Sequence, residues 1–156
     1  MAINDTFVSG DVLTAAEMNA LPFGVAGLQT LTTAFTTSAP NTTLQDNGMT
    51  LTITEVLGRR YKITALCNLY PPGGLQSVQA VLVRGSTSLK AANYSANVMD
   101  TGNALAVAFT FVYTSVGSGS ATYKMQIKAL TNNTAVADFA DATFPRQFLI
   151  EDIGQT

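Results

Sequence analysis

Apolar and polar residues alternate along most of the chain, and a period of two is the pattern of strands that bury one face. The alternation is strictest in residues 49–55, 61–69 and 123–129. Residues 78–84 and 104–114 are instead rich in apolar residues on both faces. Strands of this second kind need cover on both sides, so we expect a second sheet on one side and a neighbouring subunit on the other.

Clusters of turn-forming residues separate these strands. They lie at residues 46–48, 57–58, 71–74, 100–102, 116–120 and 131–134. The pattern predicts about eight strands, which begin near residues 28, 49, 60, 77, 88, 104, 121 and 147. Because no helical pattern lies between them, residues 26–156 are predicted to form an all-β domain, an antiparallel β-sandwich of jelly-roll type.

Residues 1–25 differ in pattern and are predicted to form a separate N-terminal arm. Thr14 and Glu17 have the spacing of a capping box, and Pro22 ends the short helical pattern that follows. A helix of about two turns is not stable by itself. We therefore expect the arm and its helix to become ordered against a partner.

Composition narrows the classes of partner. Only 12% of the residues are charged, against a typical ~25%, while 47% are hydrophobic and the net charge is −2. No basic cluster is larger than the pair Arg59 and Arg60, so we expect no binding to nucleic acid. No apolar run approaches about 18 residues, which argues against membrane insertion. Residues 1–10 lack the pattern of a signal peptide, which predicts synthesis in the cytoplasm.

The residue inventory argues against an enzyme. The sequence has no His, and its single cysteine, Cys67, lies in an alternating strand where we expect it to be buried. Ser-His-Asp and Cys-His triads and zinc sites built from His or Cys are therefore excluded. The acids available for a glycosidase pair are Glu55, Asp100, Glu151 and Asp152. Trp, the usual sugar platform, is absent, and we expect no catalytic residue, no cofactor and no metal site.

Four aspartates lie in or beside polar loops, where carboxylates form turns more often than they bind Ca²⁺. They are Asp46, Asp100, Asp138 and Asp141. None has the dense Asp-X-Asp spacing of a calcium loop, so we predict turn-forming roles for all four.

Three further features leave alternatives open. Phe109, Phe111 and Tyr113 share one face of a strand, which predicts core packing, with a stack between subunits as the alternative. Residues 71–74, Pro-Pro-Gly-Gly, predict a rigid turn, with a ligand-contacting loop as the alternative. Residues 117–120 predict a flexible hairpin tip.

Three stretches resemble virion proteins of tailed bacteriophages. Residues 6–20, Thr-Phe-Val-Ser-Gly-Asp-Val-Leu-Thr-Ala-Ala-Glu-Met-Asn-Ala, resemble the opening of minor tail, fibre and head-decorating chains. Residues 145–154, Pro-Arg-Gln-Phe-Leu-Ile-Glu-Asp-Ile-Gly, are similar to the closing strand of the β-sandwich in the same group. Residues 58–64, Gly-Arg-Arg-Tyr-Lys-Ile-Thr, resemble a strand of phage sandwiches of the C1q/TNF-like kind.

The resemblance implies a non-enzymatic homotrimer that attaches to capsid or tail proteins through its N-terminal arm and is located in the virion. The docking residues that it implies in the arm are Phe7, Val8, Val12, Leu13, Met18 and Leu21. The sequence has no coiled-coil or collagen-like stalk between the arm and the sandwich, which favours a decoration or minor structural protein over a long fibre.

The alternative is a receptor-binding module of a tail or head fibre that grips a host surface glycan through its outer loops. The residues that would face the glycan are Tyr70, Pro71, Pro72 and Tyr94.

Overall fold

The computed structural model describes residues 21–38, 43–70, 77–94, 105–130 and 135–155, and every regular element in these ranges is a β-strand. The strands are β1 (Gly24–Leu31), β2 (Phe35–Thr36), β3 (Gln45–Glu55), β4 (Arg59–Tyr70), β5 (Val78–Arg84), β6 (Thr87–Tyr94), β7 (Leu105–Thr114), β8 (Gly119–Ala129), β9 (Ala137–Asp138) and β10 (Arg146–Gln155). The predicted helix and residues 1–20 of the predicted arm lie outside the described residues.

The strands form two antiparallel sheets with the strand order of a jelly roll. The first sheet has the order β1-β10-β4-β7, and the short strands β9 and β2 extend it beyond the start of β10. The second sheet has the order β3-β8-β5-β6. The described strands change sheet six times along the chain, between β2 and β3, β3 and β4, β4 and β5, β6 and β7, β7 and β8, and β8 and β9, as a double Greek key requires. The predicted sandwich is confirmed.

The core lies between the sheets and is built by the inward-facing residues of the alternating pattern. Phe109 is buried, and Phe111 and Tyr113 pack partly buried against the core, so core packing of this aromatic set is confirmed. The ring of Tyr113 meets the ring of Tyr123 edge to face, with centroids 6.3 Å apart. This contact joins β7 of the first sheet to β8 of the second. The largest fully buried apolar side chains are Tyr61, Tyr123, Phe148, Met49, Ile63, Leu69, Leu82, Met125, Ile127 and Ile150.

Two turn predictions are wrong. Residues 46–48 lie inside β3, where the register with β8 shifts between Asp46 and Thr50, so Gly48 with φ +88° serves a bulge and not a hairpin. Residues 116–119 do not close a hairpin, because β7 belongs to the first sheet and β8 to the second. The segment crosses from one sheet to the other at the end of the sandwich.

The cover predicted for β5 is supplied by the chain itself. Val81 and Val83 lie on the outer side of the second sheet, since they alternate with core residues, yet they are only 3% and 5% exposed. β5 is an inner strand of this sheet, so the two valines lie between the outward residues of β8 and β6. A neighbouring subunit is therefore not needed to bury β5.

Candidate association surfaces

The outer face of the second sheet is polar and makes its own hydrogen bonds. Asp46 accepts hydrogen bonds from Lys124 at 2.8 Å and from Gln126 at 2.7 Å, and these bonds hold the pKa of the Asp46 carboxyl below its usual range. The hydroxyls of Thr52 and Thr122 lie 2.8 Å apart across β3 and β8. This face has the composition of a surface in contact with water. Asp46 thus joins two strands and does not form a turn.

The outer face of the first sheet is apolar by comparison. We call its central part the flat face and define it by twelve of the outward residues of β1, β10, β4 and β7, namely Val25, Leu28, Thr30, Gln147, Leu149, Glu151, Lys62, Thr64, Leu66, Ala108, Thr110 and Val112. Val25, Leu28, Leu66 and Val112 are 64%, 57%, 40% and 48% exposed. Single exposed apolar residues are ordinary, but several on one sheet face form a patch of the kind found at association sites.

The charges of the flat face neutralise each other. Lys62 donates to Glu151 at 2.8 Å, and the two residues are direct cross-strand partners in β4 and β10. Both side chains are partly exposed, so the pair contributes little to stability. It nevertheless leaves the twelve residues of the flat face without net charge, which lowers the cost of removing water from them. Arg60, the next outward residue of β4 toward its start, adds a positive charge beside the flat face.

A groove of about 420 Å³ borders the flat face at the end of β4. Its lining includes Leu66, Ala106, Ala108 and Phe144. Phe144 is 61% exposed and lies in a turn in which the Asp141 carboxylate accepts hydrogen bonds from the backbone N–H groups of Thr143 and Phe144, each at 2.7 Å. The turn-forming role predicted for Asp141 is confirmed.

Residues 21–24, where the predicted arm joins the sandwich, lie at one end of it, which we call the arm end. Gly24 pairs with Asp152, and Gln155 pairs with Arg59, so the start of β1, the end of β10 and the start of β4 meet there. The β3–β4 connection, the β5–β6 hairpin and the β7–β8 connection turn at the same end.

One buried ionic cluster at the arm end is centred on Glu55, which is 1% exposed. Its carboxylate accepts two hydrogen bonds from Arg84, at 2.8 and 2.7 Å, one from Ser115 at 2.6 Å, and one from the hydroxyl of Tyr123. Burial raises the pKa of Glu55, but these donors outweigh burial, so the pKa lies below its ordinary value. Burial and the carboxylate together raise the pKa of Tyr123. Glu55 thus joins β3 to β5, to β8 and to the β7–β8 connection.

A second buried cluster connects the arm to the last strand. Arg59 is 1% exposed and donates two hydrogen bonds to Asp152, at 2.5 and 2.8 Å. Its guanidinium also donates to the carbonyl oxygen of Leu21 at 2.5 Å, and the ring of Phe23 covers it at 3.8 Å. The bidentate ion pair is the strong geometry for this chemistry. Leu21 is thus held to its own subunit.

Four apolar side chains project from the arm end. Phe23, Val56, Leu57 and Val116 are 65%, 43%, 60% and 78% exposed, and we call them the apolar tip. They lie on three separate segments of chain, namely the residues before β1, the β3–β4 connection and the β7–β8 connection.

The opposite end of the sandwich carries the remaining predicted residues that the structure describes. Tyr70 ends β4 and Tyr94 ends β6, and both side chains are partly buried. Tyr94 pairs with Val78 at the start of β5, so the two tyrosines lie at the same end. Pro71 and Pro72 lie outside the described residues, as do the arm residues Phe7, Val8, Val12, Leu13 and Met18 and the acid Asp100.

A third buried polar cluster lies at that opposite end. Asp138, fully buried, accepts hydrogen bonds from Asn47 at 2.9 Å, from Arg146 at 3.1 Å and from the backbone N–H of Asn68 at 2.9 Å. Burial raises the pKa of the Asp138 carboxyl, and its donors offset only part of that rise. Asp138 joins β9 to β3, β4 and β10, so a turn-forming role is wrong for this residue as well.

Cys67, the predicted buried cysteine, is 2% exposed, and burial raises the pKa of its thiol well above the ordinary value. Among the described residues, no group of three or more acidic or Cys side chains is arranged to hold a metal ion. Within the same ranges, no helix has the length and hydropathy to cross a membrane.

No protein-family model matches the sequence, and no curated protein matches it. Solved structures with similar strand arrangements include the insecticidal delta-endotoxin Cry8Ea1 of Bacillus thuringiensis, with 13% identity and a TM-score of 0.42, over 69% of this chain and 18% of the toxin. Another is the VP2 subviral particle of infectious bursal disease virus, with 10% identity and a TM-score of 0.45, over 86% of this chain and 38% of the VP2 chain. The chain spans well under two thirds of both proteins. The jelly-roll assignment above rests on strand order alone.

Proposed function

We propose that this chain is a non-enzymatic structural protein of a tailed-bacteriophage particle, a homotrimer that decorates the capsid or tail and attaches through its N-terminal arm. The observation that carries the self-association is the contrast between the two outer faces. The second sheet is polar and satisfied by its own hydrogen bonds, whereas the flat face exposes apolar side chains around a single neutralised ion pair. A face of that composition is suited to contact with copies of the same chain.

The flat face remains uncovered by the described residues of its own chain, which distinguishes it from β5. Ala106, Ala108 and Val112 are exposed on the outer side of β7, whereas Val81 and Val83 of β5 are buried without a partner subunit. The apolar outer residues of β7 therefore support a subunit contact, and those of β5 do not.

Charge substitution on the flat face tests the homotrimer. Leu66→Asp combined with Val112→Asp would place unpaired charges at the subunit contact, and we expect a monomer at micromolar concentration where the unmodified chain is a trimer. The matched control, Thr54→Asp with Asn93→Asp, adds the same charge at exposed positions of the second sheet and should remain trimeric. Light scattering measures the mass. A monomeric unmodified chain, or equal loss of trimer in both variants, contradicts the proposal.

The particle location has its own test. In a density gradient, this protein should sediment with particles of the encoding phage. The ratio of its amount to that of the major capsid protein should be constant across the particle peak. If the chain stays in the soluble fraction while particles assemble normally, it is not a virion component.

The alternative function is glycan binding at the opposite end of the sandwich. Its supporting observation is that Tyr70 and Tyr94 lie at the same end of the sandwich, at the ends of two strands from different sheets. A glycan array of host-envelope sugars should then show binding that Tyr94→Ala weakens. Absence of binding by the intact chain removes this alternative.

A further inference from the structure

We propose that the apolar tip inserts into an apolar recess of the particle protein that the arm binds, so that attachment uses the body of the sandwich as well as the arm. This inference rests on the proposed attachment to a particle and specifies the chemistry of the docking surface. The partner that receives the tip is a protein with a concave, uncharged binding site.

The first support is the exposure and position of the four side chains. Val116, Leu57 and Phe23 are each at least 60% exposed and lie at the same end of the sandwich. The connections that carry Leu57 and Val116 are adjacent, since the backbone N–H of Leu57 donates to the hydroxyl of Ser118 at 3.0 Å. Several strongly exposed apolar side chains thus lie at one end of the sandwich, which distinguishes them from exposed apolar residues that occur singly.

The second support is the fixed backbone beneath the tip. Gly58 donates to the carbonyl of Ser115 at 2.9 Å, and Ser115 donates to the carbonyl of Arg59 at 2.8 Å. Below these bonds, Glu55 accepts from Arg84 of β5 and from Ser115. The tip is therefore held in one arrangement before binding, which reduces the conformational entropy lost on association.

The third support is the withdrawal of charge from the surface of the tip. The carboxylates of Glu55 and Asp152 and the guanidinium of Arg59 are at most 5% exposed, and each lies in an ion pair. Arg60 beside them is an exception, because it is partly exposed and its guanidinium donates to the neutral carbonyl of Gln155 at 3.3 Å. Interface centres are depleted of charged residues in the same way, because an unpaired charge is costly to remove from water.

The choice of a particle protein as occupant follows from the position of the arm. The carbonyl of Leu21 is bound to Arg59, and Phe23 lies over the same guanidinium, so the chain that precedes Leu21 starts beside the tip. Whatever residues 1–20 bind is consequently tethered to the arm end, which raises its effective concentration at the tip. A second copy fits less well, because the tip is made of turns at the end of the sandwich, whereas the flat face offers copies a broad sheet surface.

The experiment adds purified full-length protein to particles that assembled from the encoding phage with this gene deleted. The test variant carries Leu57→Asp and Val116→Asp with the arm intact. The matched control carries Asn93→Asp and Leu130→Asp, which make the same charge change at the opposite end, where Leu130 is 41% exposed. Bound protein is measured after sedimentation. We expect the half-saturating concentration to rise about tenfold or more for the test variant and to stay within about twofold for the control.

Each outcome decides between named possibilities. If the test variant binds particles as tightly as the unmodified chain, the inference is overturned and the arm alone accounts for attachment. Failure of the unmodified chain to bind overturns the proposed function, and this inference falls with it. A test variant that loses its trimeric mass in light scattering shows that a second copy covers the tip, which also overturns the inference. Val116→Ser, at a position 78% exposed, is the milder variant that should keep the fold and still weaken binding.

Discussion

Replacing Glu55 by Gln should destabilise the fold far more than the same replacement at Glu151. Both glutamates form an ion pair with a basic residue across strands, Glu55 with Arg84 and Glu151 with Lys62. Glu55 is 1% exposed, however, whereas the side chains of the second pair are 30% and 43% exposed. The comparison therefore contrasts a buried carboxylate that accepts four hydrogen bonds with a partly exposed one that accepts a bond from Lys62, under the same chemical change.

The expected loss of unfolding free energy follows from the hydrogen-bond donors that the Gln side chain cannot satisfy. The amide would present a donor to Arg84, which is itself a donor, and the buried hydroxyl of Tyr123 would lose its charged acceptor. Breaking a buried ion pair costs about 3–5 kcal/mol, and since Arg84 is 30% exposed and can regain water, we expect about 2–4 kcal/mol for Glu55→Gln. For Glu151→Gln we expect roughly 0–1 kcal/mol.

Urea unfolding followed by circular dichroism measures both values, and thermal unfolding gives a second reading. For a domain of this size each kcal/mol lowers Tm by about 2–4 °C. The result also depends on pH. The pKa of Glu55 is lower in the folded protein than the unfolded value of 4.5, so its stabilisation is complete above that value and is lost as the pH falls through the lowered pKa. Glu55→Gln should remove this part of the acid sensitivity. Equal destabilisation by the two variants, or an unchanged acid profile, would refute the reasoning.

Two further predictions concern single positions. Gly58 has φ +80° and open space where a Cβ would lie, so Gly58→Ala should destabilise the fold by about 1–2 kcal/mol from backbone strain alone. Gly117 has open space but no positive φ, so Gly117→Ala should be neutral or stabilising by up to about 1 kcal/mol. Thermal unfolding measures both variants. The buried thiol of Cys67 should react with a disulfide reagent at pH 8 at least about a hundredfold more slowly in the native protein than in urea, and fast reaction of the native thiol would contradict its burial.

The fold was predictable because periodicity is a local signal. Each of the eight longer strands begins within four residues of its predicted start, and the strict alternation of 61–69 corresponds to buried and partly exposed residues of β4. The strands β2 and β9 have two residues each, too few for any periodic pattern. They form because of tertiary contacts, such as the hydrogen bonds that Asp138 accepts from β3 and β4.

The buried clusters were harder to predict, because their partners are far apart in sequence. Glu55 was considered only as a possible catalytic acid, yet it continues the inward positions of Met49 and Ile53, and a charged residue in phase with a buried face is a signal of an internal ion pair. Arg59 gives the same signal ahead of Tyr61. The partner of each could not be read from the sequence, since pairing depends on which strands become neighbours across the two sheets.

The strand order also decides how the molecule would bear a mechanical load. The start of β1 lies at the arm end, and the hydrogen bonds from β1 to β10 run across the strands. A pull on residues 1–20 directed away from that end would act along β1, so these bonds would share the force in shear and would not open one after another. Arg59 donates hydrogen bonds to the Leu21 carbonyl and to Asp152, so it would transmit part of the same force to β10. Tension on the arm would thus be distributed to the inner strands of the first sheet before β1 could separate from β10.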